Sequence, residues 1–199
     1  MSYSDFDLRT ARERFGLTLV EDVDLFAGIA DVEPGGLLRQ TLDEWAPAAL
    51  AMNTEKARSE MIIAPILMEA VRQSGHRISL FSGINFDVDR ERGLNGACDF
   101  LIARSREQFY LSRPVIAVIE AKREDIIAGL GQCIAAMVAA QTFNARSEDG
   151  PVGPVLGAVT TGNNWRFLKL EGDTVSIDRP EYYLHQIGKI LGILLSVAG

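Results

Sequence analysis

The run Pro114-Val115-Ile116-Ala117-Val118-Ile119-Glu120-Ala121-Lys122 constrains this chain more than any other segment. It is apolar until its end, where it delivers a carboxylate and an ammonium two residues apart. Twenty residues separate Glu120 from Asp99, which opens a second apolar run, Asp99-Phe100-Leu101-Ile102. Charge at the end of a buried strand loses several kcal/mol of hydration unless it is paired or bound to a metal. Three such charges on neighbouring strands predict a site that binds a cation and does chemistry.

The rest of the chain has the material for a core. Of its 199 residues 47% are hydrophobic and 24% charged, which suits one folded domain and excludes global disorder. Cys98 and Cys133 are too few for a disulfide framework, and the N-terminus lacks the basic, apolar and small-residue pattern of a signal peptide. The apolar stretch at 182–198 is short and carries His185, Gln186 and Lys189, so no membrane span is expected and the expected location is cytoplasmic. A net charge of -7 argues against broad, non-specific nucleic-acid binding, but not against a local basic patch.

Periodicity predicts the order of elements. A short helix is expected over 4–15, capped by Ser4, and an amphipathic stretch over 37–52 interrupted by Pro47. Asn53 or Thr54 caps a helix running to about residue 73, with Pro65 kinking it and Gly75 stopping it. The period then changes to two. Strands are expected over 78–88, 96–103 and 115–121 as antiparallel neighbours, followed by an alanine-rich helix over 126–143. Pro151, Gly153 and Pro154 mark a loop. Strands at 155–160 and 165–170 flank a Gly162-Asn163-Asn164 turn, a short strand follows at 174–177, and a helix over 182–197 closes the chain. This order predicts an α/β (α+β) domain spanning 1–199, with 1–52 as a helical N-terminal extension.

Residues two apart on a strand share a face, so Glu120 and Lys122 project together. Asp99 and Glu120 offer hard oxygens that suit Mg2+ or Mn2+, the main-chain carbonyl of Ala121 offers another, and Lys122 stands ready to orient or deprotonate an attacking water. Glu60 shares a helix face with Ile63, Leu67 and Val71, where a carboxylate needs a partner. Gln132 follows ten residues after Lys122 on the next helix, placed to hydrogen-bond a ligand or a water.

A helix glutamate, Asp99, Glu120-Ala121-Lys122 and a following Gln132 together resemble the PD-(D/E)XK nuclease superfamily, in particular its groups that carry a glutamine after the lysine. The resemblance spans roughly 60–143, under half the chain. Cys98 stands where the superfamily's name places proline, a position that varies widely within it. The resemblance implies a restriction-endonuclease-like core, a central mixed sheet flanked by helices. It implies that Asp99 and Glu120 bind Mg2+ (or Mn2+), that Lys122 activates the water, that Glu60 is an accessory metal or water ligand, and that Gln132 contacts the active centre.

The expected function is therefore Mg2+-dependent hydrolysis of phosphodiester bonds in DNA. A domain this size has little room for target recognition, so sequence specificity is expected to be low, or to be supplied by a protein partner or a homodimer. The alternative is a catalytically silent module of the same fold that binds nucleic acid or a protein partner, with Glu120 and Lys122 as an internal ion pair. A third reading is a hydrolase of smaller phosphate esters. His76 and His185 lack metal spacing and are expected at the surface, and Trp165 in the core. Gly129-Leu130-Gly131 lacks the rest of a phosphate loop and is expected to let its helix pack closely. Arg104, Arg106, Arg113, Lys122, Arg123, Arg166 and Lys169 are the candidates for a basic lip.

Overall fold

A computed structural model describes residues 1–146 and 153–199. Pro151, expected in a loop, lies outside the described residues. Eight strands form one mixed sheet with helices on both faces.

The chain enters through a single 3-10 turn, Tyr3–Asp5, and helix α1, Leu8–Phe15. Asp7 caps α1 in place of the expected Ser4, its carboxylate accepting the Thr10 amide at 2.7 Å. Strand β1, Thr18–Val23, then pairs in parallel with a much later strand at the sheet's edge. The first 52 residues are thus not a purely helical extension. They supply an edge strand, and α1 packs on the long helix that covers the central strands. Helix α2, Gly36–Met52, runs unbroken through Pro47 and ends at Asn53 with φ 52°.

Thr54 caps α3, Glu55–Arg58, by accepting the Ala57 amide at 3.1 Å. The helix then widens into a π turn, Ser59–Ile63, before α4, Ala64–Gln73. That turn lies just ahead of Pro65, whose ring would clash with the Met61 carbonyl in a regular α-helix. Strands β2 (Ser79–Asn85), β3 (Ala97–Ala103) and β4 (Val115–Ala121) form the expected antiparallel meander.

Helix α5, Ile126–Asn144, crosses back so that β5 (Val155–Thr160) runs parallel to β4. Every residue of β4 and β5 is buried, as in strands covered on both faces. β5 then forms an antiparallel hairpin with β6 (Asn164–Glu171), and β7 (Thr174–Asp178) follows. Residues 182–197 are not one helix. Tyr182–Tyr183 form β8 on β6, a 3-10 turn follows, and α6 covers Ile187–Ser196. The sheet order is β1-β7-β6-β5-β4-β3-β2.

Two apolar layers sandwich the sheet. One joins it to α1 and α5, the other to α2, α4 and α6. α5 is long and apolar enough to cross a membrane by length and composition, but it is mostly buried here as the core helix of the first layer. Gly131 on α5 faces the backbone of Phe6 and Asp7, where a Cβ would collide with their carbonyls. Gly129, two residues earlier, faces Val159 on β5. Trp165 is fully buried, while His76 and His185 are exposed, as expected.

Candidate active site

The site forms where β3 begins and β4 ends. Their ladder stops at Phe100–Ile119. Beyond it the strands part, and the side chain of Asp99 fills the gap by accepting the Ala121 amide through Oδ2 at 2.8 Å. Opposite Asp99 on β2 is Gly83, whose φ of 63° breaks the extended backbone there.

Glu120 shares the α5 face of β4 with Val118, while Ile119 and Ala121 turn to the other layer. Only 2% of Glu120 is exposed. Its Oε1 accepts Lys122 Nζ at 2.7 Å, and the same ammonium donates to Gln132 Oε1 at 3.1 Å. Burial, and next the neighbouring Asp99 carboxylate, push the Glu120 carboxyl up to about 8, with Lys122 pulling the other way. Burial alone would lower the Lys122 pKa, but Glu120, Glu55 and Asp99 outweigh it, so the ammonium is held more firmly than usual. Two carboxylates thus crowd one pocket of low dielectric with a single ammonium between them and the helix.

Local sequence makes this geometry possible. Lys122 continues β4 by donating its amide to the Thr160 carbonyl at 2.8 Å. Asp125 caps α5 through the Ala128 amide, which starts the helix over the strand ends. Gly129 then leaves room for the lysine stem: a Cβ there would sit 2.6 Å from Val159 Cγ1 and 3.1 Å from Lys122 Cγ and Cε.

The fold therefore brings Asp99, Glu120, Lys122 and Gln132 together. It does not bring Glu60 onto the apolar face. The π turn breaks the 3.6-residue period that linked Glu60 to Ile63 and Leu67, and Glu60 emerges 61% exposed, paired with Lys56 at 2.6 Å. It lines a cleft of about 270 Å3 with Glu55, Ser82, Gly83 and Asp99. Glu55 is the acidic residue that sequence reasoning missed. It raises the Lys122 pKa and shares that cleft, yet its place after the Thr54 cap explains its charge as a helix N-terminal feature.

The expected basic lip does not assemble. Arg104 and Arg113 flank the Ala103–Pro114 end of β3 and β4, opposite the site. Arg166 pairs with Glu181 at 2.6 Å and Lys169 with Glu171 at 3.2 Å. Of that set, Lys122 and Arg123 stand at the site's end of β4, joined by Arg58, which sequence reasoning did not single out.

Among the described residues no group of three His, Cys, Asp or Glu side chains is arranged to hold a metal ion. Two carboxylates with the Ala121 carbonyl still meet what Mg2+ asks of a protein, because that ion keeps several waters. No family model, curated protein or solved structure matches this chain.

Proposed function

We propose that this chain is a Mg2+- or Mn2+-dependent nuclease of the PD-(D/E)XK superfamily, built on a restriction-endonuclease-like core and hydrolysing phosphodiester bonds in DNA. The observation that carries this reading is the meeting of Asp99, Glu120, Lys122 and Gln132, with Glu120 buried beside Asp99 and hydrogen-bonded to the lysine. An arrangement that costs this much desolvation and repulsion is typical of working sites.

Asp99, Glu120 and the Ala121 carbonyl are the oxygens that would hold the cation. Once bound, the ion would act as a Lewis acid on the phosphate and lower the pKa of a water. The chain's own part is positional. Lys122 Nζ orients the attacking water and offers positive charge to oxygens that gain negative charge during displacement. Gln132 Oε1 holds that ammonium at a fixed height above β4. Asp99, tied to the Ala121 amide, fixes the spacing of the two strand ends.

One observation favours a second reading, the catalytically silent module that binds nucleic acid or a protein partner. Lys122 already satisfies Glu120, and Asp99 already has the Ala121 amide. A thermal melt with and without Mg2+ or Mn2+, run beside Glu120→Ala, separates the two, followed by incubation with plasmid and linear DNA. A cation at about 100 times its Kd adds about 2.7 kcal/mol to the folded state. For a chain of this size that is a rise of about 5–10 °C. A rise confined to wild type, with DNA cleavage, supports the nuclease. No shift and no cleavage leave the silent module.

A further inference from the structure

We infer that Arg58 and Arg123 form a receptor for a backbone phosphate of the nucleic-acid substrate, in a notch beside the candidate centre. The inference rests on the proposed action on nucleic acid and adds where the strand runs.

Two half-buried cations, Lys122 and Arg166, pair with carboxylates, Glu120 and Glu181, while Lys189 reaches the backbone carbonyls of Phe26 and Ile29. Arg58 is half-buried too, yet its hydrogen bonds go to neutral groups, Nη1 to the Thr161 carbonyl at 2.8 Å and Nη2 to Asn53 Oδ1 at 2.9 Å. Its Nε is buried without a partner, and among the described residues no carboxylate lies within ion-pair distance. Arginine is rarely withdrawn from water without a counter-charge. A guanidinium fixed by two neutral clamps is oriented for an anion that arrives from outside.

The notch has the other features of a phosphate seat. It encloses about 280 Å3, lined by Arg58, Arg123, Glu124, Thr161, Asn163 and Asn164. Glu124 accepts Asn53 Nδ2 at 2.9 Å through Oε1 and pairs loosely with Arg123 at 3.7 Å through Oε2, so the notch holds two cations against one shared carboxylate in a chain of net charge -7. Asn164 is committed, its Nδ2 donating to Glu181 at 3.0 Å, which leaves the Asn163 amide and backbone groups as the neutral groups suited to phosphate oxygens. The position is also specific. Arg123 follows Lys122 directly, and the Thr161 carbonyl that holds Arg58 follows the Thr160 carbonyl that holds the Lys122 amide. On the other side of Asp99 the cleft carries Glu55 and Glu60 against Lys56 alone. A polyanion spanning the centre therefore leaves over Arg58 and Arg123, not over the acidic cleft.

The test is binding of a fluorescent DNA duplex in EDTA, where nothing is cut, measured over a series of salt concentrations. Wild type is compared with Arg123→Ala, with Arg58→Lys, and with Lys169→Ala as a control. Arg123 is 60% exposed, so its truncation leaves the fold intact even where the Arg58 variant does not fold. The expected result is several-fold weaker binding in Arg123→Ala whatever the DNA sequence, with the salt slope reduced by about one. Lys169→Ala keeps the wild-type slope. An unchanged slope in Arg123→Ala overturns the inference. So does inorganic pyrophosphate shifting the Arg58 Nε–H resonance while no oligonucleotide binds, since the notch then serves free phosphate. Binding through the notch without cleavage in Mg2+ or Mn2+ upholds the inference and removes the nuclease reading instead.

Discussion

Replacing Asp99 by asparagine removes one of the two crowded carboxylates while keeping an oxygen for the Ala121 amide. Glu120 is raised from 4.5 to about 8, first by burial and then by Asp99. Between those values the folded protein holds a proton that the unfolded chain releases, so Glu120 makes stability fall as pH rises through that window. The substitution removes only the Asp99 share. That share is smaller than the share of burial, and each pH unit of it is worth ~1.4 kcal/mol. Asp99→Asn is therefore expected to be more stable than wild type by about 1 kcal/mol at pH 9, a rise in Tm of about 2–4 °C. Below pH 4.5, where Glu120 is protonated in both states, this gain vanishes. The assay is a metal-free melt in EDTA across that pH range. The sign reverses in Mg2+ if Asp99 is a ligand, because only wild type then gains from the cation. A metal-free Tm that falls at pH 9, or that shifts equally at pH 4 and pH 9, would refute the reasoning. It would make Asp99 a structural acceptor or a partner of Lys122.

Two more substitutions probe the same centre. Lys122→Ala should retain the fold and abolish DNA cleavage, and a wild-type cutting rate in that variant removes the lysine from the mechanism. Gly129→Ala drives a Cβ to 2.6 Å from Val159 and into the lysine stem, so we expect a loss of about 1–3 kcal/mol in urea unfolding, together with weaker cleavage. Unchanged stability there means that α5 lifts freely from the sheet, and the close packing assigned to Gly129 is wrong.

Much of the architecture was legible because burial writes a local pattern. The runs that became β3, β4, β5 and α5 were visible from period and turn residues, since each has to hide one or both faces. β1 was not visible. Its sequence, Thr-Leu-Val-Glu-Asp-Val, sits on an edge where most side chains reach water, so the apolar signal is faint. The start of α6 was misplaced because Tyr182 and Tyr183 look apolar enough for either element, and only β6 offers them a ladder.

The site divides in the same way. Asp99, Glu120, Lys122 and Gln132 stood out because charge or amide interrupts apolar sequence, and such interruptions are costly wherever they fall. Glu60 was misjudged because a π turn changes the period that placed it. Glu55 and Arg58 were passed over because each has an ordinary explanation on a short helix. What singles out Arg58 is that both its hydrogen bonds go to neutral groups, a property of neighbours from the end of α2 and the β5–β6 turn.

The sequence by itself determined most of the strand and helix segments, β1 and β8 excepted, and that charge opens one central run and closes the other, because burial demands are repeated every two or 3.6 residues along the chain. Only the tertiary structure decided that β4 and β5 run parallel beneath α5, that the β3–β4 ladder opens at Asp99, and which charges pair. Those outcomes depend on contacts between residues far apart in sequence, and no local period encodes the distance between them.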